Sequence, residues 1–238
     1  MCGFRGSIAH NTYIPSTDPN SVDDIDIMCV YTAPVEHYIG LGRPKDHKCG
    51  KQIEVDEFDC VHYELRHFIN LLLKSNPTTM LLLWLHKDHY LKITDIGQML
   101  IDNRELFTSK LLYKSFTRYA EDQLNKMLPN AYEGYMGVKR KALVDKYGYD
   151  CKNAAHSIRL LRMAREFLTS GELVVYRTND SDLIIDIKTG GFTFEEVKSK
   201  AKEEIEMVEA AYENSKLPVM PDEKSVEQLL MSMIKSII

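Results

Sequence analysis

Polar and apolar residues alternate over Asp24-Ile25-Asp26-Ile27-Met28-Cys29-Val30, the period of a strand. Residues two apart on a strand share a face, so Asp24 and Asp26 should project side by side while Ile25, Ile27 and Cys29 pack inward. Phe58 to Tyr63 reads as a second strand running into Leu65, Phe68, Ile69 and Leu72 at helical spacing, with Asn76-Pro77 stopping that helix. Residues 8 to 23 carry two prolines and many small polar side chains and read as a long loop; Tyr38 to Lys51 reads as another. A loop of that length in a compact domain is more often functional than idle.

From about residue 95 the pattern turns predominantly helical, with Ile101, Phe107, Leu111, Leu112 and Phe116 as core contacts and Gly134 and Gly137 as interruptions. A helix from about Cys151 to Leu168 should end at Thr169-Ser170-Gly171, where glycine suits a left-handed cap. Glu172–Tyr176 and Asp182–Ile187 alternate on either side of Asn179-Asp180 and predict a small hairpin. A charged helix from about Thr193 to Asn214, a proline-containing turn and a short final helix complete the chain, with no internal repeat and no low-complexity tract.

Composition narrows the class. With 238 residues, 44% of them apolar, the chain can bury one substantial core, or one core and a smaller helical subdomain. No signal peptide is recognisable, and the apolar cluster Met80–Leu85 falls far short of the roughly 20 residues of a membrane span, so a cytoplasmic location is the expectation. Five cysteines, odd in number and without a C-x-x-C pair, indicate reduced thiols. A net charge of −5 argues against coating nucleic acid through bulk electrostatics but leaves room for a local basic groove.

The candidate chemistry lies near the start. Gly6-Ser7 is a turn that can cradle phosphate, and Asp24 with Asp26 forms a hard-cation pair at a strand end, which suits magnesium better than calcium. A two-metal site calls for a third carboxylate; Asp59, at the head of the second strand, fits best by pattern, with Asp56 and Glu64 in reserve, Glu64 reading better as a helix-terminal acid. On a helical wheel Lys152, His156 and Arg159 fall on one narrow stripe, opposite Ala154, Ile158, Leu161 and Leu168. With Lys139, Arg140, Lys141 and Lys146 upstream, that stripe concentrates positive charge, either as a solvated face or as a group that neutralises a triphosphate or a polymeric acceptor. His86-Lys87-Asp88-His89 and His47-x-Cys49 lack a matching second half at metal-ligand spacing. Glu203, Glu204, Glu206 and Glu209 read as a solvated face, and Trp84 as core.

These residues, taken together, resemble the nucleotidyltransferases of the DNA polymerase β superfamily, in the branch associated with RNA ligases and RNA repair. The resemblance covers nearly the whole chain. It is carried by Gly3-Phe4-Arg5-Gly6-Ser7-Ile8-Ala9-His10, Asp23-Asp24-Ile25-Asp26 and Pro34-x-Glu36-x-Tyr38-x-Gly40-Leu41, then by Gly134-Tyr135-Met136-Gly137 and Tyr147-Gly148-Tyr149-Asp150-x-Lys152-x-Ala154-x-His156-x-x-Arg159. It implies a mixed α/β nucleotidyltransferase core at residues 1–94 and a mainly helical region at 95–238 that contributes a basic helix to the active site. It further implies that Gly6 and Ser7 grip phosphates, that Asp24 and Asp26, with Asp59 as third carboxylate, bind magnesium, and that Lys152, His156 and Arg159 serve the nucleotide. The expected reaction moves a nucleoside monophosphate from a triphosphate such as ATP to a hydroxyl at an RNA or tRNA end. A protein hydroxyl is the rival acceptor, and nucleotide binding without turnover the rival to enzymatic activity.

Overall fold

The computed structural model describes residues 1–19, 21, 23–40, 51–55, 58–128 and 137–237. The chain begins with strand β1 (Cys2–Phe4) and the one-turn helix α1 (Gly6–Ala9), and continues through β2 (Ile25–Tyr31), α2 (Val35–Ile39), β3 (Lys51–Val55) and β4 (Phe58–Glu64). Then come α3 (Leu65–Leu72), α4 (Pro77–Met80) and β5 (Tyr90–Lys92). The strands form one mixed sheet in the order β3-β4-β2-β1-β5. β2 and β4 run parallel at its centre, with Asp26 opposite Asp59 and Met28 opposite Val61. β1 is antiparallel to both of its neighbours.

The buried face of β2 is the reverse of the one expected. Met28 (1% exposed) and Val30 (8%) point into the core, whereas Ile25, Ile27 and Cys29 are half-buried. Asp26 therefore belongs to the same row as the buried residues and extends it at the strand's beginning. Both rows of this strand are apolar beyond Asp26, so alternation alone could not choose between them. Asp24 lies just before the strand. β3 was not foreseen in its charged sequence. Asn76-Pro77 starts a helix rather than stopping one: the Asn76 side chain accepts from the Thr78 and Thr79 amides, and proline takes the first turn of α4, where no donor is needed.

The rest is helical: α5 (Asp95–Asp102), α6 (Leu111–Lys126), α7 (Val138–Tyr147), α8 (Cys151–Ser170), α9 (Ser181–Lys188), α10 (Phe194–Asn214) and α11 (Glu223–Lys235). α8 is the central rod. Asp150 caps its start by accepting from the Lys152 and Asn153 amides, and Gly171 ends it in the left-handed conformation at φ 79°, as its sequence predicted. α6 packs along it, with Leu112 and Phe116 fully buried as is Phe107, while Ile101 and Leu111 are only half-buried. Trp84, as expected, lies in the core; its ring meets Phe167 of α8 edge-on at 5.9 Å, and its indole donates to Glu172 at 2.9 Å.

Three further expectations need correction. The small hairpin does not form: 172–176 makes no ladder, and the second arm is α9, whose Ile184 and Ile187 are buried at helical spacing. The Leu183–Ile187 run fits either period, and Asp180, held by Arg162 and Arg177, fixes the start of the helix. Glu204 is not solvated but buried, where Arg162 and Arg165 neutralise it at 2.7 and 3.0 Å. Nor are all thiols reduced, because the β1–β2 register sets Cys2 opposite Cys29 and a disulfide joins them. Cys49 lies outside the described residues. No helix among the described residues is long and apolar enough to cross a membrane.

Candidate active site

Two chemically opposite surfaces meet at the Gly6–Ser7 turn. The acidic one is the open end of the parallel pair, where the register sets Asp26 and Asp59 side by side. Gly6 has φ +63°, and a Cβ there would stand 2.2 Å from Asp26 Oδ2, so only glycine brings the turn this close to the carboxylate. The Arg5 amide donates to the Asp26 carbonyl at 2.9 Å, locking turn to strand. The Arg5 guanidinium bridges the acids, 3.0 Å from Asp26 and 3.2 Å from Asp59. Burial raises the Asp26 pKa; Arg5 opposes that shift, while Asp59 and Asp24 add to it. Asp24 is exposed at the approach to this pair. Asp56 lies outside the described residues. Glu64 is a helix cap, accepting from the Arg66 and His67 amides and from the Tyr38 hydroxyl at 2.6 Å.

Among the described residues no three His, Cys, Asp or Glu side chains make a ready metal cage. The donor set nevertheless suits magnesium, which takes one or two carboxylates and completes its shell with phosphate oxygens and water. The Arg5 bridge shows that Asp26 and Asp59 already attract a cation between them.

The basic surface lines a cavity of about 210 Å³ bounded by Gly6, Ser7, His10, Lys152, His156 and Arg159, together with Asp23 and Lys188. Lys152, His156 and Arg159, expected on one stripe of a helix, do meet here, but not as a solvated face: Arg159 is 8% exposed. Among the described residues its guanidinium donates to the Met163 sulfur at 3.7 Å and to no other partner. The nearby acid Asp180 is occupied by Arg162 and Arg177. Burial works against the Arg159 charge. His156 stands edge-on to Tyr119 at 5.2 Å. His10 is 1% exposed; its Nδ1 lies 2.9 Å from the Val175 carbonyl and must donate to it, and its Nε2 is buried with no hydrogen-bond partner. Burial and the positive charge of Arg159 push both imidazole pKa values well below the usual histidine range.

Asp23 braces the wall. It accepts from Lys188 and from the Ile14 amide at 2.9 Å, with Lys152 at 3.8 Å, while Lys188 also donates to the Thr12 carbonyl at 2.6 Å. Arg5, His10, Asp23 and Lys188 were not singled out as site residues from the sequence. Arg5 and His10 flank the Gly-Ser turn and Asp23 adjoins Asp24, which is a usable signal; Lys188 had none, since its segment reads as a strand. Upstream, Arg140 is engaged by Asp150 at 2.7 Å and by Asn153 at 2.9 Å, tying α7 to the start of α8.

The His86–His89 segment forms no metal site among the described residues. Its two imidazoles pack with Tyr176 at centroid distances of 5.1 and 5.3 Å. His47-x-Cys49 lies outside those residues.

The model of a family described as RlaP, an RNA repair pathway DNA polymerase beta family, matches residues 14–232, and the chain belongs to that family. Asp24, Asp26, Asp59 and the Lys152–Arg159 stretch fall within the match, and Gly6–Ser7 precedes it. Neither the curated proteins nor the solved structures yielded a match.

Proposed function

We propose that this member of the RNA repair pathway polymerase-β-type family transfers a nucleoside monophosphate from a nucleoside triphosphate to a hydroxyl at an RNA end, tRNA included, and releases pyrophosphate. One observation carries the reading. The closeness of Gly6 to Asp26 brings together a glycine turn suited to phosphate, a carboxylate pair and a basic cavity.

Ser7 and the turn would hold the phosphates, with Lys152 and Arg159 offsetting charge on the departing pyrophosphate. Asp26 and Asp59, with Asp24 at the approach, would hold magnesium, whose chemistry when bound is to neutralise charge on the transferred phosphoryl group. Arg5 must leave its bridge for that to happen, and the phosphates beside it are its natural new partners. Positioning and charge neutralisation supply most of the acceleration in such a transfer, which matches a site rich in fixed charges. Lys139, Lys141 and Lys146 on α7 stand beside the cavity helix and are suited to the acceptor's phosphodiester backbone.

The test is incubation with magnesium and each of four α-labelled triphosphates, against total RNA and separately against a protein extract. Label on RNA that vanishes in Asp26→Asn supports the reading. Label on protein, or transfer undiminished in Asp26→Asn, overturns it.

A further inference from the structure

The basic cavity is unusual in what it lacks. Among the described residues, Arg159 is buried without a carboxylate in ion-pair contact, and His10 is almost wholly buried with one ring nitrogen satisfied and the other, Nε2, unused. Leaving a buried polar nitrogen unpaired is costly, so such groups in a cavity wall call for a ligand. His10 faces the charges of Arg159 and Arg177; His156 faces Arg159, Lys152, Arg140 and Lys126. The acids of the wall, Asp23 and Asp26, are already engaged by Lys188, Lys152 and Arg5. Surrounded by cations, the two imidazoles stay neutral while the cavity is empty.

We propose that His10, His156 and Arg159 form the seat of the terminal phosphate, in which the guanidinium donates directly and each imidazole shares a proton with a phosphate oxygen, so that binding draws protons from solvent. This rests on the reading that the cavity takes the triphosphate tail. The chemistry is specific. A terminal phosphate carries a proton that titrates near neutrality and offers three oxygens, whereas an internal phosphodiester has neither. The arriving charge offsets the field of Arg159, which is what keeps the imidazoles unprotonated. His10 thereby becomes a specificity residue: it favours a chain that ends in a free phosphate over one that is capped or esterified.

Calorimetry of the full chain with inorganic pyrophosphate, repeated near pH 7.5 in buffers of different ionisation enthalpy, reads the proton directly. The expected result is net proton uptake by the wild type and reduced uptake in His10→Asn and in His156→Asn. The asparagine amide can still donate to the Val175 carbonyl, and thermal melting checks that each variant is folded. His10→Gln, which presents a non-titrating amide where Nε2 stood, should recover affinity without recovering uptake. A pyrophosphate methylated on both phosphates, which has no free terminal phosphate, should bind about tenfold more weakly than pyrophosphate to the wild type, and no more weakly than pyrophosphate to the His10→Asn variant. Pyrophosphate binding without uptake, uptake unchanged in both asparagine variants, or no binding at all would overturn the seat. Labelled transfer persisting in a protein without uptake would sink this inference and leave the proposed function standing; uptake without labelled transfer would do the reverse.

Discussion

The two halves of the site treat charge in opposite ways. At the sheet end, Asp26 and Asp59 face each other with the Arg5 cation already between them, so the acids are compensated from within. In the cavity, Arg159 makes no ion pair among the described residues, the nearby Asp180 being taken by Arg162 and Arg177, and the wall sets two imidazoles beside the lysines Lys152 and Lys188. On the proposed reading, the first half exchanges its cation and the second receives an anion. On that reading, the carboxylate pair gives up its arginine to a better cation. A lone buried guanidinium waits for an anion, since a buried charge left unpaired is costly.

Four changes would sharpen or break that contrast, in falling order of effect. Asp26→Asn or Asp59→Asn should lower labelled transfer by about a thousandfold, equivalent to several kcal/mol of transition-state stabilisation, while calorimetric affinity for pyrophosphate stays within about threefold. Equal losses in both measurements would mean that the halves are one unit. Arg159→Met should weaken pyrophosphate binding by about thirtyfold, yet melting should show stability unchanged or raised by about 1 kcal/mol, because an uncompensated charge leaves the interior. A marked loss of stability would show that the guanidinium is paired in solution.

Gly6→Ala forces a Cβ against Asp26 at a left-handed position, and a loss of about 1–2 kcal/mol in denaturant titration is expected together with a fall in transfer. An alanine variant as active as wild type would dissociate the turn from the carboxylate. The smallest effect is that of pH. His10 and His156 have lowered pKa values when folded, so the unfolded chain binds more protons below about 6.5, and stability should fall on acidification through that range. Asp26 has a raised pKa, so its contribution has the opposite sign: present below the ordinary 3.8 and lost as pH rises through the raised value. Urea melts at a series of pH values should give a gentler slope above pH 5 for His10→Asn than for wild type.

The acidic half was the more legible of the two in the sequence. A parallel register needs only two strands with acids at matching ends, and Asp59 could be picked out because Phe58–Tyr63 repeats the strand period that follows Asp26. Which face of β2 is buried was not legible, because apolar residues occupy both of its rows. The stripe on α8 could be read from angular spacing, but its burial could not: that depends on α6, α9 and α10 surrounding it, and no local pattern reports what lies opposite a helix. Lys188 was out of reach for a related reason. Its segment, apolar at both periods, becomes a helix whose start is held by the bonds of Asp180 to Arg177, three residues before it, and to Arg162 on α8, and that choice carries the lysine to Asp23.

Trp84 is the chain's single tryptophan, and it lies where the segment after α4 meets Phe167 of α8, its indole nitrogen held by Glu172. Tryptophan fluorescence, excited beyond the absorption of the 13 tyrosines, therefore has one source, placed between the half of the chain that carries the carboxylates and the helix that carries the cavity's cations. If those two parts separate before either unfolds, the emission will shift to the red ahead of the loss of helical circular dichroism, so a chain without an introduced dye can report how its two charge systems are kept in alignment.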